Sequence, residues 1–296
     1  MMRLLCFIIF LLLLMSSCSS KTLSILYQGQ ERKPAPATFE FYPGETEFTD
    51  LEWELGDGTE IMDSTARHTY YLSGNYTVTL KGKKGNKIKE VQKQVYVDAP
   101  DKCLVKIETS YGTMIAELYD KTPKHRDNFI KLSEEGYYED LLFHRVISGF
   151  MIQGGDPNSR GASTETRLGT GGPGYQVDAE ITDDFAHVKG ALAAARIGGP
   201  ANPQKKSSGS QFYIVQGKPV NNQQMAQMEA RLGINYPESV RSRYLEHGGT
   251  PFLDQEYTVF GQVIEGLDIV DKIAQVRTAP GDRPLEDVWM KVTVIK

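Results

Sequence analysis

The run Phe143-His144-Arg145-Val146-Ile147-Ser148-Gly149-Phe150-Met151-Ile152-Gln153-Gly154-Gly155-Asp156 constrains this chain more than any other stretch. Side chains alternate between faces in an extended chain, so Arg145, Met151 and Gln153, an even number of residues apart, share one face. That face carries a guanidinium, a thioether and an amide, with Phe150 beside them at a bend predicted near Gly149. A half-buried strand keeps one face apolar and the other solvated. A cation, an amide and bulky apolar groups converging on one face read instead as the wall of a pocket. The plain alternative is a strand with one exposed Arg.

Further blocks follow in order: Gly169 to Gly172 (GTGG), Ala191 to Arg196 (ALAAAR), Ser208 to Ile214 (SGSQFYI), Phe252 to Asp254 (FLD) and Tyr257 to Ile273. From roughly Leu104 to the C-terminus, these blocks and the first one resemble the cyclophilin family of peptidyl-prolyl isomerases. The resemblance implies a mainly β fold, a closed antiparallel barrel with capping helices, and catalysis of X-Pro rotation with no cofactor and no metal. It also implies roles by position. Arg145 is the donor to the proline nitrogen of the twisted amide, and Gln153, on the same face, holds it; these two are the catalytic candidates. Phe150, Met151, Tyr213 and Leu253 match the apolar slot for the proline ring. Ala195 and Arg196 match the segment that grips the substrate main chain, and Gln211 a further polar contact. Phe252 stands where many members carry Trp, and Tyr257 where many carry His. Both keep an apolar surface against the substrate, so turnover is expected to persist while cyclosporin binding is weakened. The implied partners are proline-containing polypeptides. A catalytically weak proline-peptide binding module or chaperone is the alternative, but pure binding does not require the full Arg145, Phe150, Met151, Gln153 set.

The chain has 296 residues, a net charge of -5, 40% hydrophobic and 24% charged residues. That length allows one or two domains, and the absence of a basic footprint argues against a nucleic-acid partner. Arg3, the apolar run Leu4 to Met15 and then Ser16-Ser17-Cys18 read as an export signal, too short to span a membrane as a helix. Its end resembles a bacterial lipobox, with Met15 where Leu is more usual. This implies a lipid anchor on Cys18 and an exported, membrane-anchored lipoprotein, facing the periplasm or in the outer membrane. Of the three cysteines, Cys6 is then removed, Cys18 acylated, and Cys103 left as a free thiol.

The domain reading is a signal over 1–17, a lipidated tether over 18–36, a first domain over 37–98 and a second over 103–296. In the first, short alternating strands break at Gly, Asp and Asn turns. Its WELGDG (Trp53 to Gly58), His68-Thr69-Tyr70 and GNYTVTL (Gly74 to Leu80) blocks are similar to the PKD family of β-sandwich domains, with Trp53 and Tyr76 as core fillers. A surface adhesin led by this region would need a ligand site that the residues do not display. In the second domain Thr122 is expected to cap a helix opened by Pro123, with Gly136 after its end. An insertion over 217–250 reads as two helices, capped by Asn221 with Gln224 and by Asn235 with Glu238, and stopped at Gly233 and Gly248. Met225, Met228, Leu232, Val240 and Tyr244 would pack the pair into a hairpin overhanging the rim of the slot. Gly169-Thr170-Gly171-Gly172-Pro173-Gly174 spells GxGxxG, but no helix follows it, which excludes a dinucleotide site. The histidines show no metal-ligand spacing; His144 is expected to be a buried, hydrogen-bonded core group. Asp57, one carboxylate in a turn, is weak as a calcium ligand.

Overall fold

The computed structural model describes residues 22–44 and 47–296. The chain divides into two compact units. One takes the described residues up to Lys33 with those of Ala37–Tyr70 and Gly74–Val97; the other takes Asp98–Lys296 with Pro34–Pro36 and Tyr71–Ser73.

In the first unit a three-stranded sheet runs Ile25–Tyr27, Ala37–Pro43, Ala66–Tyr70. A five-stranded sheet runs Arg32–Pro34, Lys87–Asp98, Gly74–Lys84, Thr49–Glu54, Glu60–Ile61. The rings of Phe41 and Trp53 meet across the sheets at 6.2 Å, and those of Tyr70 and Tyr76 at 4.1 Å. Phe39, Phe41, Trp53, Leu55, Val78 and Leu80 are sealed from solvent, the area burial that holds such a unit together. Trp53 Nε1 donates to the carbonyl of Asp63 at 3.1 Å, so its one polar atom is satisfied. Two expectations change. Tyr76 is half-buried rather than central. The stretch expected to be tether contributes strands Ile25–Tyr27 and Arg32–Pro34, because Leu23 and Ile25 alternate inward and are buried. Asp57 is engaged by the Thr59 N–H of its own turn and by His68 Nε2 from the strand Ala66–Tyr70, at 3.0 and 2.7 Å.

The second unit is organised by a nine-stranded antiparallel sheet. Its order is Leu141–Leu142, Trp289–Ile295, Leu104–Thr109, Gly112–Leu118, Val259–Glu265, Ala191–Ala194, Phe212–Val215, Met151–Gly154, Arg145–Ile147. The two edge strands are almost consecutive in sequence, joined by Phe143 and His144 alone, so the sheet must curl. The expected closed barrel does not form. The edge donors go elsewhere: Leu142 N–H to Ser159 Oγ, Phe143 N–H to the Val288 carbonyl, Val146 N–H to the Asp282 carbonyl. With those donors satisfied, no ladder joins the edges. Inside the curl Phe129, Tyr138, Phe143, Phe212 and Phe260 form an aromatic core with Ile107, Ile152, Leu192 and Ile214.

Four helices accompany the sheet: α1 (Pro123–Glu134), α2 (Asn222–Leu232), α3 (Glu238–His247) and α4 (Leu267–Ala274). Thr122 precedes α1 but makes no side-chain cap. Glu180 takes that part, its two carboxylate oxygens each 3.0 Å from the Lys124 and His125 N–H groups. An anion suits the positive end of a helix, and a carboxylate satisfies two orphan donors where a hydroxyl satisfies one. In the insertion the Asn221–Gln224 capping box forms and Gly233 closes α2 in the left-handed region. The expected Asn235–Glu238 pair does not form; α3 starts after Pro237 with no side-chain cap. Met225, Val240 and Tyr244 are buried against Ala186 and Val188, while Met228 and Leu232 are only half-buried.

Candidate active site

The stretch 143–156 is a hairpin, not one extended strand. Gly149 turns it at φ +73°, and Arg145 then lies directly opposite Gln153, as Ile147 does opposite Met151. Opposite partners in an antiparallel pair share a face. The alternation therefore placed the residues on a common face correctly, though through pairing rather than extension. Met151–Gly154 pairs onward with Phe212–Val215, which sets Gln153 beside Tyr213. On the far side Ala193 pairs with Tyr213. The turn is locked from behind: Gly149 N–H donates to Gln216 Oε1 at 2.6 Å, and the Phe150 carbonyl accepts from the Gln216 and Gly217 N–H groups.

These strands wall a hollow of about 310 Å³ lined by Arg145, Phe150, Met151, Gln153, Ala195, Arg196, Tyr213, Leu253 and Tyr257, with His144, Gly169 and Gly281. Nine of the residues singled out from sequence are thus brought together. Gln211 lines the adjoining hollow, of about 490 Å³, with Gly169 to Gly172; Gln153, Gly169, Ala195 and Arg196 belong to both. Phe252 is outside the lining, 45% exposed, and stacks on Phe150 with centroids 5.7 Å apart. No residue of the 217–250 insertion lines either hollow. Its helices α2 and α3 pack onto the segment holding Ala186 and Val188. Cys18 lies outside the described residues.

The lining holds two arginines, Arg145 and Arg196, and they are placed differently. Arg145 Nη1 is 3.4 Å from Gln153 Oε1 and its Nε 3.4 Å from Asp282 Oδ2. Gln153 Nε2 donates to Gln211 Oε1 at 3.1 Å, and Gln211 Nε2 to the Gly171 carbonyl at 2.8 Å. This relay allows one orientation of both amides, with oxygen toward the guanidinium. Asp282 was not singled out from sequence. Its signal, a Pro-Gly-Asp turn, identifies a loop but not what the loop faces. Arg196 turns away: Nε and Nη2 bind the Glu256 carbonyl and carboxylate at 2.8 and 2.7 Å, and the guanidinium lies 4.6 Å over the Tyr257 ring. It thereby braces Tyr257.

The GTGG segment holds a carboxylate rather than a phosphate. Asp156, fully buried, accepts from the N–H groups of Gly169, Thr170, Gly171 and Asn158. Successive amides around one anion form a nest, and here the protein supplies the anion itself. A Cβ at Gly171 would fall 2.1 Å from Asp156 Oδ1, which explains the glycine.

His144 is buried, but neither ring nitrogen has a well-formed hydrogen bond among the described residues, contrary to expectation. Burial lowers its pKa, and burial likewise lowers that of His125, which sits between Glu180 and Ser207. Below about pH 6.5 the unfolded chain takes up protons on both rings while the folded chain resists, so stability falls as pH falls through that region. The melting midpoint is expected to decline from about pH 7 to about pH 5. The decline should be shallower in His144→Gln; an unchanged slope would remove this ring from the account.

A family model described as cyclophilin type peptidyl-prolyl cis-trans isomerase/CLD matches residues 104–294, and a PKD domain model matches 30–98. A Staphylococcus saprophyticus protein assigned to the peptidyl-prolyl cis-trans isomerases is 38% identical over 183 residues, 62% of this chain and 86% of that one. A Streptococcus pyogenes protein assigned as a bifunctional phosphatase/peptidyl-prolyl cis-trans isomerase is 38% identical over 187 residues, 62% of this chain and 37% of that one. Among solved structures, a Cryptosporidium parvum cyclophilin type isomerase matches with a TM-score of 0.49 at 27% identity, over 66% of this chain and 98% of that one. With the family model spanning most of the chain and the slot residues assembled in one hollow, the chain belongs to the cyclophilin-type peptidyl-prolyl cis-trans isomerase family.

Proposed function

We propose that this isomerase acts on X-Pro bonds of exported polypeptides while tethered to a membrane through lipidated Cys18, and that it assists their folding there. Rotation about the peptide bond faces a barrier of about 18–20 kcal/mol from amide resonance. Proline isomerisation is slow enough to limit folding. In the twisted amide the proline nitrogen regains a lone pair, so a donor aimed at it binds the transition state and not the planar ends. Arg145 is assigned that donor, Gln153 its holder, and Phe150, Met151, Tyr213, Leu253 and Tyr257 the slot for the ring. Ala195, Arg196 and Gln211 are assigned the substrate main chain on either side. The observation that carries this is the guanidinium of Arg145 held between Gln153 and Asp282 in the wall of a hollow that also gathers Phe150, Met151, Tyr213, Leu253 and Tyr257. Phe252, stacked on Phe150 and lacking an indole N–H, fits weakened cyclosporin binding. The PKD-like region is assigned a spacer or contact role.

The mature protein is expected to begin at Cys18 carrying acyl chains, detectable by mass spectrometry of its N-terminal peptide. Cys18→Ser should move the protein to a soluble exported fraction. A wild-type protein with an unacylated Cys18 overturns the anchor. Failure to speed the refolding of a proline-limited exported protein overturns the folding role, even if short peptides are turned over.

A further inference from the structure

Behind the slot wall lies a buried polar cluster that the reaction as described does not use. Asp254, next to Leu253, is 3% exposed. Its Oδ1 accepts from the backbone N–H and Nδ1 of His187 at 2.9 and 2.7 Å. Its Oδ2 accepts from the hydroxyls of Tyr236 and Tyr244 at 2.5 and 2.6 Å. With four donors converging on it the carboxylate only accepts, so His187 carries its proton on Nδ1. Its other nitrogen, Nε2, is hydrogen-bonded to the Tyr213 hydroxyl 2.9 Å away. Buried polar networks of this kind are rigid when fully satisfied and costly when one member is lost.

The two ends of the cluster belong to different parts of the protein. Tyr244 is on α3 and Tyr236 on the link before it, both in the insertion. Tyr213 lines the proline slot with Leu253 and Tyr257. The His187 ring lies parallel to Tyr213 at 6.0 Å and meets Tyr257 edge-on at 6.3 Å. The insertion is also stitched to this segment, since Thr250 N–H donates to the His187 carbonyl and Lys189 N–H to that of Gly248. It touches the slot from behind, through one histidine and one aspartate.

We propose that the helical insertion sets the floor of the proline slot through the chain Tyr236 and Tyr244 to Asp254 to His187 to Tyr213, making Asp254 and His187 positioning residues for substrate proline. This rests on the reading of the slot as the proline site. The slot grips the ring alike in planar and twisted forms, so loosening its floor weakens uniform binding and raises KM with kcat nearly kept. The insertion is then not removable: without Tyr236 and Tyr244, Asp254 Oδ2 is left buried with no donor.

The test is a double-mutant cycle on hydroxyls at opposite ends of the chain, using the full protein and an Xaa-Pro tetrapeptide. Tyr244→Phe, remote from the slot, should raise KM about fivefold with kcat within about twofold of the parent. In a Tyr213→Phe background the same change should have little further effect, because the link to the slot is already cut. Tyr236→Phe, half-buried and gentler on folding, should repeat the pattern more weakly. A Tyr244→Phe protein that melts lower but keeps the parental KM overturns the proposal, as does a KM effect that simply adds to that of Tyr213→Phe. Arg145→Ala, run alongside, separates the two readings. If it keeps parental kcat, the slot assignment itself has failed; if it loses kcat while Tyr244→Phe keeps KM, only the positioning chain has failed.

Discussion

Arg145→Ala is expected to lower kcat by roughly 30- to 900-fold, the equivalent of about 2–4 kcal/mol for one preorganised donor aimed at developing charge. Peptide affinity should change far less, because the lone pair on the proline nitrogen exists only in the twisted amide and the donor does little for either planar form. The guanidinium is placed by two partners at once, Gln153 through Nη1 and Asp282 through Nε. A lysine at 145 keeps the charge but cannot face both partners and a substrate from one planar fork. Arg145→Lys should therefore fall with the alanine variant rather than with the parent. Its loss should not come from unfolding: the Arg145 and Asp282 side chains are both 42% exposed, and such pairs contribute about 0–1 kcal/mol. The measurement is cis-to-trans exchange of an Xaa-Pro peptide, with the melting midpoint as control. Near-parental turnover by a folded Arg145→Ala protein would falsify the assigned role.

Asp156→Ala is expected to cost about 3–5 kcal/mol of stability, by analogy with removing one partner of a buried charged arrangement. Four backbone N–H groups converge on this carboxylate, and alanine leaves them in a site that the side chain had filled. For a unit of this size that is a fall of about 6–20 °C in melting midpoint. Activity should suffer as well, because Gly169 lines both hollows and the Gly171 carbonyl ends the relay from Arg145 through Gln153 and Gln211. Asp156→Asn keeps the shape and one acceptor oxygen, so it should fall between parent and alanine. A melting midpoint within a degree or two of the parent for Asp156→Ala would show that the nest is not held by its anion.

The sequence by itself determined the mainly β character, the family and nine of the residues that line one hollow. The family and most of the hollow's residues came through resemblance to known sequence blocks, and only a few positions through spacing. Arg145, Met151 and Gln153 share a face under any pairing that keeps even separation, and Asn221 with Gln224 caps α2 from within a single turn. Tertiary structure alone decided which groups those residues meet. Glu180 displaced Thr122 as the cap of α1 from 55 residues beyond His125, and His187 reached Asp254 across 67. Asp282 came to Arg145 from the far end of the unit. The sheet stayed open because Val288, Ser159 and Asp282 took the edge donors. Periodicity records the face on which a side chain leaves its own element. It carries no record of what the fold brings to that face, since a buried donor binds whichever acceptor packing delivers to it.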